Sequence, residues 1–279
     1  MGELMDAKKI RARIGMVNFI NTAPLYEVWK RTVQRPDWQV VEDTPTVLNR
    51  LLHSAELDLG FISSHEYASH PGEYKILSDL SISASGPVGS VLLFSKLPPA
   101  ELDGHTVLLS SQSQTSASLV RILLEEFYRV QPHYQDGPLA DTDPTAYMAI
   151  GDEALRLRDA KRFRYVIDLA QTWREHTGLP FVFAVWAVRR DFCRTAPDTV
   201  VEIHQELLRC IHQGGLELRA ISRQVAPRIP MDEEACYSYL HGLEYDLGEE
   251  KQQALCRFFE FLIKRGEVPT AALPLKICG

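Results

Sequence analysis

The chain has 279 residues, 45% hydrophobic and 24% charged, with a formal net charge of −7. Such a length and composition suit a globular protein of one large or two modest domains and exclude a disordered chain. An acidic chain with no basic run is a poor binder of nucleic acid or of an anionic membrane, so the partner expected is a small molecule.

The first strand is predicted at residues 13–18 (RIGMVN), followed by a helix over 21–31 with Leu25, Val28 and Trp29 on one face. A second strand at 38–42, a helix at 46–54 and a third strand at 57–62 continue the alternation, which argues for a mainly parallel sheet. Strands follow at 74–82, 89–95 and 106–110, and then a serine- and threonine-rich turn, SSQSQTSAS, opens a helix carrying Leu119, Ile122, Leu123, Phe127 and Val130. Further strands are expected at 147–150, 165–169 and 181–188. From Pro197 onward the pattern is almost wholly helical, and Gly214-Gly215 is expected to bend or interrupt the first of these helices.

An α/β start, a second α/β block and a helical tail suggest two lobes with two crossings between them. These are expected near residues 94–98 and 185–190, giving lobe one as residues 1–94 and 189–279 and lobe two as residues 95–188. A single doubly wound domain is the alternative, but it leaves the tail unexplained. The N-terminus carries no leader-like apolar stretch, and the longest apolar run, LPFVFAVWAV, falls far short of the ~20 residues of a membrane span. Five cysteines with no C-x-x-C spacing read as reduced thiols, so a cytoplasmic location is expected.

No P-loop, dinucleotide fingerprint or nucleophile elbow occurs. His204, Cys210 and His212 do not match a common zinc spacing and read as ordinary helix residues. Five features stand out at or beside strands. In Asn18–Leu25, Asn21 or Thr22 would cap the helix, or the helix start would receive an anion. In residues 110–118, hydroxyls and backbone N–H groups could hold a carboxylate or merely cap. Gly151 would let backbone approach a ligand, while Asp152 could be a cap or a functional acid. Trp173 and Trp186 flank a strand entered through Gly178 and Pro180 and read as core. Ser90 is a lone hydroxyl in an apolar strand and needs a partner, backbone or ligand.

Taken in order, R-I-G-x-V-x-x-x-N-x-x-P-L, G-P-V-x-S-V-x-L, S-x-T-S-x-x-L, I-G-D-x-A-L and T-G-L-P-F-V-F-A-x-W resemble the chorismate dehydratase family of the futalosine route to menaquinone. The likeness runs from Arg13 to Ala187; the helical tail carries little of it. It implies an α/β fold of the type-II periplasmic-binding-protein kind, with a ligand cleft between two lobes. It also implies conversion of chorismate to 3-[(1-carboxyvinyl)oxy]benzoate and water with no metal and no organic cofactor. Asn21 and Ser90 match family residues at the reaction centre; Ser113, Thr115 and Ser116 would hold a substrate carboxylate, with Gly151 and Asp152 beside them. Phe19 departs from the family, where many relatives have tyrosine.

The proton lost from chorismate could pass to the substrate's own enolpyruvyl carboxylate or to Asp152, and both stay open at this point. The rival class is a non-catalytic receptor or sensor for a small carboxylate, which the same fold would serve. The expected ligand is a dicarboxylate; nothing in the sequence bears on oligomeric state.

Overall fold

Two mixed sheets, each flanked by helices, form two lobes. The computed structural model describes residues 10–139, 143–229 and 231–278. The first nine residues, on which much of the leader argument rests and which belong to the expected lobe one, lie outside the described residues.

The strands, in chain order, are β1 (Ala12–Met16), β2 (Trp38–Glu42), β3 (Leu59–Ser63), β4 (Tyr74–Ala84), β5 (Val91–Ser95), β6 (Thr106–Leu109), β7 (His133–Asp136), β8 (Ala146–Ile150), β9 (Tyr165–Asp168), β10 (Phe181–Arg189) and β11 (Ile277–Cys278). The first sheet has the order β11-β4-β10-β3-β1-β2 and the second β7-β6-β8-β5-β9. Most predicted strands are in place within two or three residues. Each is a short apolar run bounded by polar or helical segments, and β3, β5 and β8 are buried along their whole length.

Two expectations are corrected. The sheets are mixed: β10 runs antiparallel to β3 and β4, and β5 runs antiparallel to β8 and β9. Both exceptions are strands that arrive from the other lobe and enter their sheet from its far end. The crossings also fall earlier than expected. β5 lies in the second sheet and β10 in the first, so the chain passes over at residues 85–90 and 178–180.

Both crossings are pinned at one place. The Asp168 carboxylate accepts from the backbone N–H groups of Val88 (3.1 Å) and Gly89 (2.6 Å), and from those of Ala170 and Gln171 at the start of helix Leu169–Thr177. One side chain thus caps a helix and holds the first crossing. At the second crossing the fully buried Trp173 donates its indole N–H to Pro180 O at 3.0 Å and packs edge-on against Phe181, Phe258 and Phe261. Trp186 is buried as well, so both tryptophans are core.

The tail is helical, as expected, through Pro197–Leu216, Leu218–Val225, Glu233–His241 and Glu249–Lys264, and then adds β11 alongside β4 in the first sheet. Gly214-Gly215 does not break helix Pro197–Leu216, which runs through both. A Cβ on Gly214 would lie 1.9 Å from Pro24 O, so the glycine admits the backbone of helix Ala23–Thr32 at close range. His204 bonds Ser78 O at 2.8 Å and Cys210 is buried, in keeping with the plain reading of that helix. Among the described residues no helix is long and apolar enough to cross a membrane.

Candidate active site between the lobes

A cavity of about 390 Å³ lies between the lobes. Phe19, Phe61, Ile82, Val91, Ile150 and Phe183 give it an apolar surround. The polar lining comes from Asn21, Thr46, Asn49, Arg50 and Ser63 on one side and Ser90, Ser111, Ser113 and Ser116 on the other. Its size and character suit one small ring bearing polar substituents.

Asn21 sits in the turn Ile20–Thr22 that follows β1. Thr22 Oγ1 ties this turn down by donating to Val17 O (2.6 Å) and Phe19 O (2.8 Å). Neither Asn21 nor Thr22 caps the helix by a side-chain bond, so that expectation is set aside. The Asn21 carbonyl on the main chain accepts from Tyr245 Oη at 2.9 Å. Its side-chain Oδ1 is buried and has no hydrogen-bond partner among the described residues. A buried, unpaired amide oxygen costs about 1–3 kcal/mol unless a ligand donor meets it.

Ser90, 2% exposed, lies just before β5. Tyr239, on helix Glu233–His241, donates its hydroxyl to Ser90 Oγ at 2.8 Å. With that lone pair engaged, the Ser90 proton is left to donate into the cavity. Burial pushes the Tyr239 phenol well above its ordinary value, so it stays a donor. Ser90 O accepts from Gly151 N at 2.7 Å, which ties the two segments together. Gly151 has φ +56°, a conformation that favours glycine, and it lines the cavity.

The serine-rich turn divides its labour. Ser113 is the N-cap of helix Gln114–Ile122: its Oγ accepts from Ser116 N (3.2 Å) and donates to Ser116 Oγ (3.0 Å). Both serines line the cavity while doing so. Thr115 does not. It is fully buried, and its Oγ1 accepts from His65 N at 3.0 Å, a contact from the other lobe. Its expected role at the substrate is therefore corrected to a clasp between lobes. Asp152 is also absent from the lining. Burial raises its carboxyl pKa, with Arg156 and Arg228 acting in the opposite sense.

A second interlobe clasp lies behind the turn. The Glu267 carboxylate accepts from Ser118 Oγ and Arg265 Nε, each at 2.6 Å, with His65 Nε2 at 3.8 Å. Burial pushes this carboxyl up, but the nearby His65 ring and the bonds from Arg265 and Ser118 outweigh it and hold the group at about 2.

Sequence reasoning missed Arg50, Tyr239 and Tyr245. Arg50 looks like an exposed residue of an amphipathic helix, and the two tyrosines sit in the tail, where no motif marks them. It also missed His53, Glu66 and His70, which line the cavity with one ligand-capable atom each, all within 4.8 Å of one another.

Residues 12–264 match the family model described as menaquinone biosynthesis. A curated relative from Thermus thermophilus, named chorismate dehydratase, is 32% identical over 89% of this chain and 94% of its own length. A relative of the same name from Campylobacter jejuni is 30% identical over 70% of this chain and 78% of its own. A Candida albicans protein described as having the generic periplasmic binding protein fold superposes with a TM-score of 0.70 at 11% identity, covering 96% of this chain and 95% of its own. The architecture is thus of the periplasmic-binding-protein type.

Proposed function

This chain belongs to the menaquinone biosynthesis family, and on that footing we propose that it is a chorismate dehydratase, acting in the futalosine route. It would convert chorismate to 3-[(1-carboxyvinyl)oxy]benzoate and water in the cleft between the lobes. The observation that carries the reading is that Asn21 and Ser90, one on each side of the cavity, border the same apolar space, and that Asn21 Oδ1 is buried without a partner.

Chorismate loses the C3 proton and the C4 hydroxyl, and the ring becomes aromatic. The electron pair of the C3–H bond enters the ring as the C4–O bond breaks, and the hydroxyl leaves with a proton as water. Removing the C3 proton shifts charge onto the ring carboxylate, so donors fixed there lower the barrier. The cavity-facing hydroxyls of Ser111 and Ser116 and the Arg50 guanidinium are donors of the right kind, the Ser113 proton being given to Ser116. Ser90, backed by Tyr239, hydrogen-bonds the leaving hydroxyl and keeps its own proton, while Asn21 Oδ1 accepts from that hydroxyl and orients it; the proton that completes the water is the one taken from C3, passed on by the substrate's enolpyruvyl carboxyl.

The proton acceptor in this scheme is the substrate's own enolpyruvyl carboxylate. Two features support that choice: Asp152 lies off the lining, and Glu66, which is on it, already accepts from Tyr74 Oη at 3.2 Å. The protein then works by posing the substrate and excluding water. The test is to mix purified protein with chorismate and follow the diene absorbance. Its decay with rise of an aromatic spectrum is expected; binding without decay would make the protein a receptor, as the fold alone permits.

A further inference from the structure

One wall of the cavity carries groups that the dehydration scheme does not use. His53 ends helix Pro45–His53, Glu66 lies on helix Ser64–Ser69, and His70 follows that helix directly. From these we infer that His53, Glu66 and His70 form a binding site for a divalent first-row transition cation such as Zn²⁺.

The donor set is two imidazoles and one carboxylate, which suits such a cation. The three ligand atoms lie within 4.8 Å of one another. His70 Nδ1 and Glu66 Oε1 are 3.0 Å apart, yet His70 Nδ1 makes no hydrogen bond. Two atoms at that distance with no hydrogen bond between them fit one edge of a coordination polyhedron; bonds of about 2.0–2.1 Å around zinc give tetrahedral edges of about 3.3 Å.

Charge points the same way. Glu66 is buried on the wall of a cavity read above as receiving an anion, so it needs a neutralising cation. The two imidazole rings lie side by side, 4.1 Å apart between centroids, so both can reach one ion. A metal ion takes both rings neutral.

Supporting partners are present. Glu73 Oε2 lies 3.2 Å from His53 Nδ1, placed to orient that ring. Tyr74 Oη donates to Glu66 Oε1. Carboxylate and hydroxyl groups placed behind the ligands in this way orient them. All three ligands line the cavity, so the remaining coordination positions face it and are open to water or to a ligand carboxylate. The inference does not depend on which reaction the cleft performs.

The test uses the metal alone on the whole protein, stripped with chelator and freed of it. Co²⁺ titration should saturate at one equivalent with visible d–d bands and no thiolate charge-transfer band, and Zn²⁺ should displace it. His53 is half-exposed, so His53→Ala should keep its thermal melt and bind more than about 100-fold more weakly; Glu66→Gln should do the same, and Glu73→Gln should lose about 10–100-fold. Unsaturable binding, a thiolate band, or unchanged affinity in folded His53→Ala would overturn the site. If Glu66→Gln fails to fold, His53→Ala decides alone.

Discussion

Tyr239 Oη lies 2.8 Å from Ser90 Oγ and donates to it, so a residue of the helical tail sets the direction in which the serine proton points. The tail is thereby part of the site as well as of the scaffold.

Tyr239→Phe keeps the ring and removes this bond. We expect kcat to fall about tenfold or more with KM nearly unchanged, because the serine is still present but no longer aimed. Ser90→Ala should cost about 10²–10³-fold in kcat, the usual loss for one fixed donor. Steady-state kinetics on both variants checks this, and a large change in KM alone for Tyr239→Phe would argue against a positioning role.

Asn21→Ala removes a side chain whose Oδ1 bonds nothing in the described protein. Turnover should drop by about 10²–10³-fold, while the melting temperature should hold or rise, since a buried unpaired acceptor is gone. Calorimetry beside kinetics separates the two effects.

Gly214→Ala places a methyl group where Pro24 O already stands. The two helices must part, at a cost of about 3 kcal/mol. Pro24 is three residues past Asn21, so catalytic efficiency should suffer too. Urea unfolding and kcat/KM report the two losses separately.

Glu267 is held at about 2, below its ordinary value of 4.5. A carboxyl lowered in the folded state stabilises the fold above its ordinary pKa, and that contribution disappears as pH falls from about 4.5 through about 2. Discounted for the partial exposure of the group, the effect is about 1–2 kcal/mol by linkage. Urea midpoints measured down this range should fall more steeply in the wild type than in Glu267→Gln; parallel curves would remove the clasp from the account.

Much of this was legible in the sequence. Periodicity located nearly every strand, because buried strands leave dense apolar runs. Direction was not legible: β5 and β10 read the same whether parallel or antiparallel, and so the crossings were set several residues late on both sides. Gly214 looked like a helix breaker, since propensity says nothing about a backbone packed against it from another helix. The hydroxyl-rich turn stood out in the sequence, and part of it lines the cavity, but its members were not told apart. Ser113 and Ser116 are three apart and share a helix face that meets the cavity, whereas Thr115 is rotated away toward His65. Arg50, Tyr239 and the His53–Glu66–His70 group come together only through tertiary structure, from segments whose local patterns are unexceptional.

The most direct test of the central claim is mass analysis of what the purified protein makes from chorismate. A product lighter by one water, with an aromatic spectrum, is predicted, and its formation should collapse in Asn21→Ala and Ser90→Ala. Chorismate recovered intact after long incubation with folded protein, or a product formed equally well by both variants, would contradict the account.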